Sequence, residues 1–411
     1  MKPTPTLSPE LRAIFDAGRE ERGKAPAPAP ADLEIWEAAD DVGQDIPPRG
    51  WLLGNTFCRK FVSSLIADGG TGKTALRIAQ ALSLATGRPL AGEYVFEKGN
   101  VLLVSFEDDA DELRRRVRAA MQHYRIGADD IRGRLFLTTP GRVAGKLLEL
   151  HPRTGKTQTG TLVALLEAAI IKHKLDLVIL DPFVKTHSVP ENENSLMDEV
   201  IQILANLANE HDIAVDIPHH TGKGRAATPG DADRSRGATA VKDGARLVYT
   251  LTSMSKEEAA KLGVDNPRGF TRVDSGKVNL VPQTAEAWFR LVSVGIGNRT
   301  ALYPSGDFIQ VAEPWTPPLA LDGITDDIEC TILAAIDAGI DAGKNLYSLS
   351  NTAKAGTRAW EVVQEHLPGK TEGQCKEVVK AWLKAGRLES VDYVNTHTRQ
   401  ARKGLKIPIR Y

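Results

Sequence analysis

FVSSLIADGGTGKTALRIAQALSLATG, residues 61 to 87, puts an apolar run, a glycine-rich turn and an amphipathic segment in immediate succession. FVSSLIA reads as a buried strand, and the segment that begins near Lys73 reads as a helix. Between them, Ala67-Asp68-Gly69-Gly70-Thr71-Gly72-Lys73-Thr74 turns consecutive backbone amides toward a helix N-terminus, the arrangement that binds phosphate. In such a loop the lysine, here Lys73, reaches the β and γ phosphates of a nucleotide, and the hydroxyl of Thr74 reaches Mg²⁺. Asp68, Gly69, Gly70, Thr71, Gly72, Lys73 and Thr74 are therefore the expected nucleotide-binding residues, with ATP and Mg²⁺ as ligands. Ala67 stands where the pattern has glycine, which is tolerable if its φ is negative; the competing reading is a coincidental glycine-rich turn.

Working outward, NVLLVSF, RLFLT, LDLVIL and IAVDI are further short apolar runs, separated by helical patterns that begin near Asp109, Gly160 and Ser195. Nearly apolar strands alternating with helices predict a parallel sheet covered on both faces. After Arg246, ARLVYTL, GFTRVDSGKVNLV, AWFRLVSVGI and ALYPSGDFIQV are joined by short turns and are expected to finish the same sheet as antiparallel strands. AEPWTPPLALDG is Pro-rich and aperiodic, a linker. Three helical patterns and a basic hairpin then suggest a winged helix. Before the core, a Pro/Ala alternation at 25–31 and few large apolar residues predict a disordered or loosely docked arm, with Trp36 as the anchor of a short helix near 32–39. The expected division is an arm over 1–45, a P-loop core over 46–311, a linker over 312–324 and a winged-helix-like domain over 325–411.

Several strand ends deliver polar groups to the edge where the phosphate loop lies. LDLVIL ends in Asp181, the expected second acidic element, holding Mg²⁺ directly or through water together with Thr74; an ordinary capping aspartate is the alternative. NVLLVSF ends in Glu107-Asp108-Asp109. Glu107 is the expected catalytic carboxylate that polarises the attacking water, Asp108 either a metal-water ligand or a group that supports the metal's ligands from behind, and Asp109 a helix cap, against the reading of solvated loop charges. IAVDI leads to His219 and His220. These suit a polar sensor of the γ-phosphate, with buried hydrogen-bonding histidines or a metal pair as alternatives. The loop from 222 to 235 carries Lys223, Arg225 and Arg234, with Arg236 just beyond it. It is read either as a track for a DNA backbone or as a solvated basic loop. Arg246, just before a new strand, suits an arginine finger acting in trans, or else a surface salt bridge; Lys277 is a weaker candidate of the same kind.

Composition limits the rest. With 52 Lys plus Arg against 53 Asp plus Glu the net charge is -1, which excludes a uniformly basic coat but leaves room for a local basic groove. Neither a membrane span nor an apolar signal region is found, so a cytoplasmic protein is expected. Cys58, Cys330 and Cys375 are odd in number and far apart, as reduced, inert thiols are. The final segment from Asn395 has five Lys and Arg and no acid, and is expected to neutralise phosphates.

The order IADGGTGKTALRIAQALSLATG, VLLVSFEDD, LVILDPF, HHTGKG and SRGATAVKDGARLVYTL resembles the RecA-like ATPases of the plasmid replicative helicase RepA group, over roughly residues 50 to 300. That resemblance implies an AAA-type, phage or plasmid ATPase and helicase working in DNA replication. It further implies a homo-oligomeric ring, usually a hexamer, with ATP held between subunits and single-stranded DNA in the channel, and a primase or initiator protein as a further partner. By motif match it gives Lys73 and Thr74 the phosphate-loop roles, Glu107 the catalytic carboxylate, Asp181 the second acidic motif, His219 and His220 the paired histidines, and Arg246 the finger. The C-terminal unit is not part of the minimal plasmid helicase, and the insert around 144–161 lengthens a crossover without a reading of its own. Two rivals stand beside this expectation: a nucleotide-switched DNA-binding regulator, and a filament-forming recombination ATPase without helicase activity.

Overall fold

The computed structural model describes residues 35–43, 45–141, 144–151, 153–221, 228–231, 238–282 and 285–409. The chain divides into two units, Met1–Pro48 and Arg49–Tyr411. Most of the expected arm, and most of its expected helix, lies outside the described residues. Within the first unit a 3-10 turn spans Ala38–Asp41, and Trp36 is 68% exposed with its indole N–H donating to Asp41 Oδ2 at 3.0 Å.

The second unit opens with β1 (Trp51–Leu53), β2 (Phe57–Cys58), β3 (Val62–Ala67), α1 (Lys73–Thr86), β4 (Val101–Ser105), α2 (Ala110–Tyr124), α3 (Ala128–Ile131) and β5 (Leu135–Thr138). It continues with β6 (Leu148–Leu150), β7 (Thr157–Thr159), α4 (Thr161–His173), β8 (Leu177–Asp181), α5 (Asn194–Glu210), β9 (Ala214–Asp216), β10 (His219–His220), α6 (Ala238–Gly244), β11 (Leu247–Ser253) and α7 (Lys256–Leu262). β12 (Phe270–Val278), β13 (Ala287–Gly295) and β14 (Phe308–Trp315) close the core. The C-terminal segment adds α8 (Asp326–Ala338), α9 (Ala359–His366), α10 (Glu372–Lys384), β15 (Glu389–Val394) and β16 (Ala401–Lys406).

One sheet runs β14-β13-β12-β11-β3-β9-β8-β4-β5, with β10 beside the end of β3. The strands from β11 to β5 are mutually parallel, and β12, β13 and β14 add on antiparallel. This is an α/β architecture with the phosphate loop leaving a mainly parallel sheet that an antiparallel extension completes. The antiparallel part starts one strand later than the sequence suggested, because the crossover through α6 returns β11 parallel to β3. β14 also runs to Trp315, into the stretch read as linker, since Ala312 and Val311 are buried in the core.

β3 is buried along its whole length, and its two serines are satisfied inside the sheet: Ser63 Oγ donates to Asp216 Oδ1 at 2.8 Å and Ser64 Oγ to the Ile217 carbonyl at 2.9 Å. α1 is buried at every position but Thr74, so the phosphate loop is held between two fully packed elements. The insert folds as the β6–β7 hairpin and braces the segment after β8, where Leu147 N–H donates to the Thr186 carbonyl at 2.7 Å and Ser188 N–H to that of Leu148 at 3.2 Å. Burial holds the Cys58 and Cys375 thiols at about 11, protonated near neutral pH. Among the described residues, no helix is long and apolar enough to cross a membrane.

α8, α9, α10 and the β15–β16 hairpin enclose a core of their own, centred on Ile336, Val363, Cys375, Val378, Trp382 and Leu405, as a winged helix does. α10 also touches the P-loop core. Thr371 Oγ1 donates to the Ala260 carbonyl of α7 at 2.6 Å, and Gln374 Nε2 to that of Leu262 at 3.4 Å.

Candidate nucleotide site

The loop between β3 and α1 opens at the carboxyl edge of the parallel strands, where open α/β sheets bind ligands. Gly70 and Gly72 have φ of 79° and 95°, the left-handed region that favours glycine. A Cβ on Gly69 or Gly70 would meet nothing within 4 Å, so their backbone faces an open cradle. Ala67 is the last residue of β3, paired with Leu251 on one side and His220 on the other, and is absent from the positive-φ positions. An alanine in that extended backbone carries no strain, which accounts for the departure from glycine.

Lys73 is 6% exposed, and its amine lies 3.3 Å from the Ala67 carbonyl, 3.4 Å from that of Asp68 and 3.1 Å from His220 Nδ1. Burial pushes the amine below the ordinary lysine range, while Asp181, Glu107 and Asp68 draw it back up. A cation held back from water by its own loop carbonyls is poised to exchange them for phosphate oxygens. The Asp68 side chain turns elsewhere: it accepts from Thr221 Oγ1, while its carbonyl accepts from Thr71 Oγ1 at 2.8 Å. Asp68 and Thr71 thus shape the loop from within.

Thr74 Oγ1 donates to Asp181 Oδ2 at 2.6 Å, bringing the first residue of α1 together with the last of β8. Burial pushes the Asp181 carboxyl above its usual range; Thr74 and Lys73 oppose this, and the charges of Glu107 and Asp216 add to it. A buried carboxylate beside a hydroxyl is an all-oxygen donor pair that fits Mg²⁺, which keeps most of its waters and takes few protein ligands. Glu107 is exposed at the end of β4, and its charge acts on Lys73, Asp181 and His220 together. Asp108 departs from the metal-water reading. Its carboxylate is taken by Arg116 of α2 at 2.9 Å, because the first turns of that helix fold the guanidinium back over the strand end. Asp109 caps α2, accepting from Glu112 N–H at 2.7 Å.

The two histidines diverge, as successive residues of a strand do. His220 faces Lys73. Burial, and then the Lys73 charge, depress its pKa, so the neutral ring presents Nδ1 as acceptor to the amine. His219 is 1% exposed and stands edge-on to Phe183 at 5.6 Å, with Nε2 3.6 Å from Glu191 Oε1. The expected pair therefore has one member at the phosphate loop and one turned into the segment after β8. Among the described residues, the three-ligand group with metal-binding spacing is Glu167, Glu210 and His211, which includes neither.

The expected basic loop over 222–235, with Lys223, Arg225 and Arg234, lies outside the described residues apart from 228–231, as does Arg236. Arg246 is exposed, and its amide donates to the Val62 carbonyl at 3.1 Å, at the amino end of β3. The phosphate loop leaves the other end of that strand, about 16 Å away at roughly 3.3 Å per residue. Lys277 lies at the same amino edge, opposite Val248. Its amine is used up at the end of α6, donating to the Lys242 carbonyl at 2.7 Å and lying 3.2 Å from Asp243 Oδ1.

One pair had no reading in the sequence. Arg77, one turn into α1 from Lys73, is 1% exposed and forks onto Asp216 at the end of β9, with Nε and Nη2 each 2.7 Å from a carboxylate oxygen. Its third nitrogen donates to Gln80 Oε1 at 2.7 Å, and its plane lies 5.2 Å from the Phe57 ring centre. The visible signals are an acid inside an apolar strand and an arginine on the buried face of a helix.

Residues 27–226 match the family model described as an AAA domain. The match takes in the phosphate loop, Glu107, Asp181 and both histidines, and ends before α6. Among solved structures, the crystal structure of the RadB recombinase aligns with a TM-score of 0.37 at 15% identity, over 57% of this chain and 89% of that one.

Proposed function

We propose that this chain is a Mg²⁺-dependent ATPase of the RepA helicase type, working as a ring on single-stranded DNA. The observation that carries the ATPase reading is the convergence of Lys73, Thr74, Asp181 and His220 on one open glycine cradle. Lys73 binds the β and γ phosphates, Thr74 and Asp181 hold the metal, Glu107 accepts a proton from the attacking water, and His220 reads the terminal phosphate through its contact with Lys73. Mg²⁺, when bound, offsets charge on the phosphate oxygens. His219 acts at one remove as a positioning residue.

The placement of Arg246 supports assembly. An exposed arginine about 16 Å of strand away from its own phosphate loop is too far to act on its own nucleotide, which favours the trans finger over a cis contact. Single-stranded DNA and a hexameric ring are proposed on the motif order alone.

The purified protein should hydrolyse ATP, and Lys73→Ala should abolish turnover while the circular dichroism spectrum stays unchanged. Steady turnover by that variant sinks the site. ATP-fuelled strand displacement separates a helicase from a regulator, and electron microscopy with ATP and DNA separates a ring from a filament.

A further inference from the structure

In the C-terminal unit the helix that a winged helix usually presents to a groove, α10, is engaged at its first turn. Thr371 and Gln374 bind the carbonyls of Ala260 and Leu262, and Gly373 lies so close to α7 that a Cβ there would sit 2.3 Å from the Ala260 carbonyl oxygen. Of the three lysines farther along, two are paired within the helix, Lys376 with Glu372 and Lys380 with Glu377, and Lys384 stands exposed at its last turn. α10 is thus the joint to the P-loop core, with its charges largely cancelled.

The hairpin has the opposite character. Arg399 at its turn and Arg402 and Lys403 on β16 are exposed, and among the described residues no carboxylate forms an ion pair with them. Even if Asp392, opposite Lys403 in register, is set against that lysine, Arg399 and Arg402 remain uncompensated. The turn is also held in shape. His397 Nε2 lies 2.9 Å from Asp341 Oδ2, Asn345 Nδ2 donates to Thr396 Oγ1 at 2.9 Å, and Lys406 Nζ donates to the Asp337 carbonyl at 2.6 Å. Tyr393, on β15, is half-buried and directs its hydroxyl to the Leu346 carbonyl, and the exposed ring at the turn, His397, is held against Asp341, so neither is free to stack on a base.

We infer that the C-terminal unit binds duplex DNA through the β15–β16 hairpin, with Arg399, Arg402 and Lys403 on the phosphates, while α10 serves as the joint to the core. A two-stranded ribbon fits the major groove. Cations whose neighbouring rings are tied down, Tyr393 to Leu346 and His397 to Asp341, suit a duplex backbone better than a single strand, which is held largely by stacking. This surface is separate from the nucleotide site and does not depend on ATP hydrolysis.

The test measures binding of the full chain, without nucleotide, to a short fluorescein-labelled duplex and to the corresponding single strand over a range of salt. Arg399→Ala/Arg402→Ala/Lys403→Ala should weaken duplex binding by about tenfold or more and lower the salt slope by about 0.9 for each phosphate that is no longer neutralised. Lys376→Ala/Lys380→Ala, on α10, should leave both quantities at wild-type values. Wild-type duplex affinity in the hairpin variant overturns the proposal, as does an equal loss in the α10 variant. A hairpin variant that loses single-strand binding while keeping duplex binding overturns it too. Unchanged circular dichroism spectra keep misfolding out of the comparison.

Discussion

Removing Asp216 should be among the most damaging single changes in this chain, although Asp216 touches no nucleotide in the proposed reading. The carboxylate is 0% exposed and accepts from two nitrogens of Arg77 and from Ser63. Burial pushes its pKa up and Arg77 draws it down, so the pair survives through its mutual geometry. Asp216→Ala leaves the Arg77 guanidinium, itself 1% exposed, with Gln80 as its remaining hydrogen-bond partner. Breaking a buried pair from one side costs about 3–5 kcal/mol, a large share of the 5–15 kcal/mol that holds a typical domain. Replacing both partners by apolar groups of similar volume, Arg77→Leu/Asp216→Leu, should cost no more than about 2 kcal/mol, because no charge is then stranded. A double-mutant cycle by urea denaturation measures this directly, with an expected coupling of at least 2 kcal/mol. ATP affinity should fall in the single variant, since Arg77 fastens to β9 the helix that begins with Lys73. A cost below about 1 kcal/mol for Asp216→Ala, or a double variant as unstable as the two singles summed, would refute the reasoning.

Three further outcomes follow from particular contacts. Glu107→Gln should still bind ATP but hydrolyse it orders of magnitude more slowly, since an amide takes no proton from water; unchanged turnover in a phosphate-release assay would remove the role. His187 is 5% exposed, with its pKa pushed down to about 4 mainly by burial, so below pH 6.5 the unfolded chain takes up a proton that the folded chain refuses. Stability should therefore drop by up to about 3 kcal/mol between pH 6.5 and 4, and His187→Gln should flatten that limb in urea midpoints taken across the range; parallel limbs count against it. Gly373→Ala should favour helix α10 by up to about 1 kcal/mol yet force its first turn off the Ala260 carbonyl, raising protease cleavage over 316–325; unchanged cleavage shows that the joint absorbs the methyl group.

The phosphate loop, the acid-bearing ends of β4 and β8 and the antiparallel extension were legible because each rests on local sequence: a glycine pattern, an apolar run, a turn. Ala67 was legible only as a departure. What makes it harmless is its place at the end of β3 between two parallel neighbours, and that is a property of the sheet. The end of β14 was misplaced for a similar reason. Pro314 and Trp315 look like linker residues, but an outer strand accepts proline, and β13 supplies a partner for each of them.

Long-range pairings were not legible, because nothing in the sequence states which distant residue a buried charge will find. Arg77 and Asp216 lie 139 positions apart, and each alone reads as an exception inside an apolar segment. The histidines show the same limit at the shortest range. That a strand turns consecutive side chains to opposite faces is legible in the sequence; which partner each ring then meets is not. One face of β10 looks onto the lysine of the phosphate loop, and the other onto Phe183 and Glu191, in the segment that follows Asp181. The pair is therefore two separate contacts, one on the loop lysine and one on the segment after β8, rather than two copies of one sensor.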